Sequence, residues 1–456
     1  MPIKNSTSSS LHPSIMSKGQ HEVLGDYDFS TTIVSLYSSD SKGWVKVKKC
    51  LISLQDCISR KESMSHDVYD TLSKAIPLIF HEYTHFYDCS STIWGAKYLS
   101  MMAQAYTADN LTHGGKEKDF HHAKKFHDLI RFSLLPKYYT DKTKITDDSR
   151  PWDYRESIGN RFSSSGEVAD HPIVFTWFLN KNGEALVRSP ISTISLLECA
   201  AMAQEINKNI GLISLLEKDQ RTIELKLYTN KILDYIYNKD ITEYSVCAHL
   251  VANKCKEPDV FLAYKVSAIL CRLVLNTPSK IYLQIAEECD FESIFGSTQV
   301  ASEYIEKVKK GLRYLEPGFL YYLICRAMSD GELNKLDEGF SLICASLQKL
   351  GVDYADLKDE SRKEFLEYSE IAASSKIESI SMIAKAGQRN YELNNWSNFK
   401  MDFHHLSLPP VRLNDFSQVD LFLAEANSLK SVCLTRIEEE LSEGDTWVKR
   451  FVDACA

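Results

Sequence analysis

The chain of 456 residues predicts an α+β fold that is predominantly α-helical. Three observations lead there. Strand-like runs of β-branched and aromatic residues are confined to the first 190 or so positions. One of them is split by Asn182-Gly183, a strong hairpin-turn signal. From Thr222 to the end, apolar residues recur almost throughout at three- and four-residue intervals.

Taken in order, residues 1–26 are polar and serine-rich and read as a flexible tail. From Tyr27 to about Ser59, "FSTTIVSLYS" and "GWVKVKKCLISL" read as one or two strands of a small sheet. From Asp67 to Tyr106 the pattern turns helical. Pro77 must open a helix or kink one, and "CSSTIWG" marks a break before a second helix. "KEKDFHHAKKFHDLIRFSLL" is a further helix. Residues 140–170 are the most polar stretch and read as an inserted lid, binding loop or disordered segment. "IVFTWFLNKNGEALVRS" is the hairpin, Ile173 to Arg188. "STISLLECAAMAQEINKNIGLISLL" is a helix with Ser192 or Thr193 as its N-cap. The helical remainder is interrupted mainly by "FHHLSLPPVRLND". The expected organisation is one domain over 27–220 and a helical domain over 221–456.

Composition narrows the function. A net charge of -9 spread over both halves offers no footprint for nucleic acid or an anionic membrane. Twelve cysteines are scattered without a CxxC, mostly in apolar runs, and suit reduced thiols in the cytoplasm. The N-terminus lacks the apolar core of a signal peptide, and no segment has the ~20 apolar residues of a membrane span. There is no GxSxG, GxxxxGK[ST] or GxGxxG, which argues against serine hydrolase and nucleotide chemistry.

One stretch carries chemistry: "IPLIFHEYTHFYD", Ile76 to Asp88. On a helix, His81 and His85 share one face, one turn apart. Two imidazole nitrogens can then reach one ion at ~2.0–2.1 Å. Glu82 is displaced by ~100°, where it reaches a water activated by the ion rather than the ion itself. It is the only charged residue from Ala75 through Tyr87. Such polar groups in an apolar helix are costly to bury without partners, and a metal supplies them.

"LIFHEYTHFY" resembles the long signature of the zincin metallopeptidases. Tyr83, Thr84 and Phe86 are uncharged and Tyr87 is hydrophobic, as that pattern requires, while Leu78 stands where Val or Thr is commoner. The wider phrase "FHEYTHFYDCSSTIWG", with a distant "LLECAAMAQE", also resembles uncharacterised bacterial zincin-like proteins. The resemblance implies a Zn²⁺ site with His81 and His85 as ligands and Glu82 as general base. Asp88 and Ser91 stand where a metzincin has Gly and His, which excludes that subclass. A gluzincin draws its third ligand, a glutamate, from a later helix. Glu198 is the best candidate, because Ala200, Ala201 and Ala203 let its helix pack closely on the motif helix. Glu205, two turns on, is the alternative ligand, or a residue that holds a ligand histidine.

Other groups have weaker claims. His121, His122 and His127 read as a solvated helix face, and His404 and His405 as part of a packed connector or a segment crossing the site's mouth. His171, Tyr154 and Tyr244 are eligible by type to stabilise an oxyanion. The hairpin could offer an edge to an extended peptide. The expected function is that of a zinc-dependent metallopeptidase acting on a protein or peptide, oligomeric state open. The alternatives are a helical scaffold with a relic metal site, and a triggered cytosolic effector protease, toxin-like or antiviral.

Overall fold

The computed structural model describes residues 24–107, 117–163, 166–256, 259–296, 302–331, 335–393 and 398–455. Most of the expected N-terminal tail lies outside them, but Gly25 and Asp26 already belong to a strand. β1 (Gly25–Tyr27) pairs antiparallel with β2 (Val34–Leu36). Asp28 shapes the turn between them: its Oδ1 accepts from Ser30 N at 2.8 Å and Ser30 Oγ at 2.7 Å.

The expected second strand is instead a helix, α1 (Ser41–Arg60). Asp40 caps it by accepting from Gly43 N at 2.7 Å. Trp44 and Val47 are buried and Leu51 and Leu54 half-buried, the three- and four-residue spacing of a helix face. The β-branched Val45 and Ile52 that suggested a strand lie on the exposed side.

α2 (His66–Ser73) leads into α3 (Ile76–Ser90), with Pro77 in the first turn, where its missing N–H costs nothing. The break falls at Ser91-Thr92. Thr92 then caps α4 (Ile93–Tyr106), its Oγ1 accepting from Gly95 N at 3.0 Å. α5 follows (Glu117–Leu134).

β3 (Asp141–Lys142), β4 (Asp153–Phe162), β5 (Val168–Leu179) and β6 (Ala185–Pro190) form an antiparallel sheet in the order β3-β6-β5-β4. The polar stretch is therefore not an irregular insertion, because β4 occupies ten residues of it. β4 is an end strand, and its charged residues Arg155 and Glu156 suit an edge that must not pair further. β5 and β6 are the expected hairpin, with Gly183 at φ 79° in its turn. Then comes α6 (Thr193–Ser214), with Ser192 extended at the N-cap position.

The remaining helices are α7 (Lys218–Ile236), α8 (Val246–Cys255), α9 (Val260–Leu275), α10 (Ser279–Glu288), α11 (Phe291–Phe295), α12 (Ser302–Arg313), α13 (Pro317–Ala327), α14 (Leu336–Lys349), α15 (Tyr354–Ala373), α16 (Glu378–Glu392) and α17 (Leu434–Cys455). Between the last two, β7 (Val411–Leu413) pairs parallel with β2 and antiparallel with β8 (Gln418–Val419), giving the sheet β1-β2-β7-β8. The fold is thus α+β and predominantly helical. One hydrophobic core runs from Tyr27 to Val448 and crosses residue 220 without interruption. α3 packs on α6, α6 on α9, and β1 and β2 lie against α3. Among the described residues no single helix is long and apolar enough to cross a membrane, and the eleven cysteines from Cys50 to Cys433 are free thiols.

Candidate metal centre

Every residue of α3 is buried, so each of its faces meets a different neighbour. Phe80 packs on Phe403 and Phe422, and Tyr83 donates to the Pro409 carbonyl at 2.7 Å. The segment with the double proline therefore crosses the side of α3 that carries Phe80 and Tyr83, as a packed connector. There His405 is exposed and bonded to Asp402, and His404 lies edge-on to Phe422. The face with His81 and His85 turns instead to α6, where Ala200, Ala201 and Ala203 are buried.

Glu198 of α6 meets the two histidines. His81 Nε2 lies 3.2 Å from His85 Nε2 and 3.3 Å from Glu198 Oε2, and His85 Nε2 lies 3.4 Å from the same oxygen. Donors held tetrahedrally at ~2.0–2.1 Å from zinc stand about 3.3 Å apart. The three atoms thus form one face of a tetrahedron of zinc's size, with the fourth corner left for water or substrate. Two imidazoles and a carboxylate are also a donor set that zinc accepts. The three residues are 1%, 4% and 3% exposed. Among the described residues they are the group that could hold a metal ion. His121, His122 and His127 are not part of it.

Glu205 takes the supporting position. Its Oε2 lies 3.0 Å from His81 Nδ1, the ring nitrogen turned away from Glu198. The two atoms are close but do not complete a hydrogen bond, and a carboxylate at that distance favours the Nδ1–H tautomer, which leaves Nε2 free for a metal. Among the described residues, no lysine or arginine pairs with Glu82, Glu198 or Glu205, although all three are buried. Burial alone would lower the His81 pKa, but Glu198 and Glu205 carry it well above the ordinary value. Burial likewise opposes ionisation of Glu198, yet His85 and His81 hold its pKa well below the carboxylate range.

Glu82 points to a different side, toward β1. A side-chain carbon on Gly25 would lie 3.1 Å from Glu82 Oε1. Burial pushes its pKa well up; His81 opposes this, and Asp26 on β1 adds to it. Tyr27 and Phe29 set their rings 6.2 and 6.3 Å from that of His85. Tyr244, buried in the short turn before α8, lies 6.2 Å from the His81 ring.

Of the three residues considered for an oxyanion, Tyr244 alone adjoins the cluster. His171 is bonded to Glu316 at 2.7 Å, and Tyr154 lies among Glu156, Cys325 and Arg326. The strands against α3 are β1 and β2, not the hairpin β5–β6. The hairpin therefore does not supply an edge beside the metal helix. That cover of Gly25, Tyr27 and Phe29 was missed in the sequence, since its contacts with α3 are made across the chain. Comparison with protein-family models, with curated proteins and with solved structures gave no match to the chain.

Proposed function

We propose that the chain is a zinc-dependent metallopeptidase of gluzincin type, working in the cytoplasm on a protein or peptide. The observation that carries this is the triangle of His81, His85 and Glu198 with a separate buried carboxylate, Glu82, one position along the same helix. A bound zinc supplies Lewis acidity for a carbonyl and a lowered pKa for water. The chain's own residues do the rest. His81, His85 and Glu198 hold the ion, and Glu205 fixes the His81 ring. Glu82 takes a proton from the attacking water and returns it to the leaving amine. Burial raises its pKa, the direction that makes a carboxylate a stronger base. Tyr244, with its ring 6.2 Å from that of His81, is a phenol available to a developing oxyanion.

The test is Glu82→Gln, assayed on a mixture of short peptides read by mass spectrometry. The variant is expected to keep its zinc and lose at least ~10³-fold in turnover. An unchanged rate would sink the mechanism. A second reading, a scaffold that keeps a metal without chemistry, draws support from the near-complete burial of the centre. It leaves the carboxylate at 82 without a purpose.

A further inference from the structure

The centre is closed, and one element closes it where chemistry has to occur. Helices α3 and α6 carry the ligand cluster, and the turn with Tyr244 sets its ring 6.2 Å from that of His81. On the Glu82 side the enclosure is β1 and the turn after it. The backbone at Gly25 runs over Glu82 so closely that an added side-chain carbon would sit 2.9 Å from Leu78 Cγ and 3.1 Å from the carboxylate. Tyr27 and Phe29, with rings 5.1 Å apart, lie over His85. A general base must touch both the water and the leaving group. The reacting atoms therefore lie on the Glu82 side of the ion, in volume that β1 now fills. β1 is also secured on one edge only. It is the end strand and has three paired residues with one neighbour, β2.

We infer that the segment Leu24–Phe29 is an internal cover that holds the protein latent, and that it swings off Glu82 and His85 to admit substrate. This rests on the metallopeptidase reading of the same residues. Tyr27 is a large ring almost wholly buried, so the open form is a minor population in the resting protein. A trigger or an incoming extended chain raises that population only by favouring the displaced strand.

The experiment uses the full chain loaded with zinc and follows metal release to an excess of a chromogenic chelator. Two variants change the cover without touching a ligand. Phe29→Ala removes one ring, and should release zinc about tenfold faster at an unchanged circular-dichroism spectrum and melting temperature. Gly25→Cys with Leu78→Cys ties β1 to α3. Oxidised, this pair should release zinc about tenfold more slowly than when reduced. If Phe29→Ala does not fold, the oxidised-against-reduced comparison carries the test alone. Zinc bound by all forms and released at one common rate overturns the cover but leaves the metal site standing. A wild-type chain that takes up no zinc overturns both.

Discussion

The molecule holds two clusters of histidine and glutamate, one buried and one half-buried, and they meet the same electrostatic problem in different ways. Beside α12 and α13, Glu316 accepts from Arg161 and lies 2.7 Å from His171 Nε2, while Tyr314 stacks on His171 at 4.2 Å. Arg161 is 1% exposed and also donates to the Phe132 carbonyl at 2.8 Å. Here the positive charge is built into the chain. Around α3 and α6 the acids are more numerous, the histidines converge on one point, and among the described residues no guanidinium or ammonium pairs with them. A buried acid with an arginine is complete. Buried acids with two convergent imidazoles and no lysine or arginine among the described residues could hold a metal ion instead. Histidine and glutamate in proximity do not by themselves distinguish the two; the source of the positive charge does.

The sharpest way to break this contrast is metal content. His81→Ala with His85→Ala should take the protein from about one zinc per chain to none, measured by mass spectrometry on purified protein. His171→Ala should leave the zinc untouched. Zinc retained in the double variant would abolish the distinction.

The next largest effect belongs to the other cluster. Arg161→Ala leaves the half-buried Glu316 with His171 as its partner and should cost about 1.5–3 kcal/mol in chemical denaturation, with zinc content unchanged. A loss below ~1 kcal/mol would mean that the arginine is not what neutralises that acid.

The smallest effect tests a case between the two. Asp88, three residues beyond His85, is fully buried with Arg272 as its charged neighbour, and both of its oxygens lack a hydrogen bond. Burial pushes its pKa up to about 7, and Arg272 only partly offsets that. An unfolded aspartate ionises near ~3.9. Between those values the folded chain keeps a proton that the unfolded chain has lost. This residue's contribution to stability therefore falls as pH rises through that window, by at most about 1.4 kcal/mol per unit. Asp88→Asn should flatten that slope in melts taken from pH 4 to 8. An unaltered slope would show that Arg272 or solvent holds Asp88 ionised.

Much of the site could be read from the chain because its logic is local. His81, Glu82 and His85 sit within five residues, and helical periodicity alone orients them. Glu198 was legible through the apolar run before it and the small residues after it, which the structure uses for close packing. What failed was nonlocal or masked by composition. α1 read as a strand because Val45 and Ile52 are β-branched, yet they point outward, and packing of Trp44 and Val47 decided the matter. β4 read as a loop because an edge strand spends its residues on charge. The cover over Glu82 had no local signal, since a glycine declares a close approach only once its neighbour is known.

The parallel pairing of β2 with β7 has a consequence in time. Ser35 and Arg412 lie 377 residues apart in sequence. On a ribosome working at ~5–20 residues per second, that interval lasts roughly 20–75 s. His81, His85 and Glu198 have all been made well before it ends. The nascent chain thus passes through a period when its ligands exist and the sheet beside them is unfinished. Any metal that these three residues hold can reach them during synthesis, ahead of the moment when the last strands arrive.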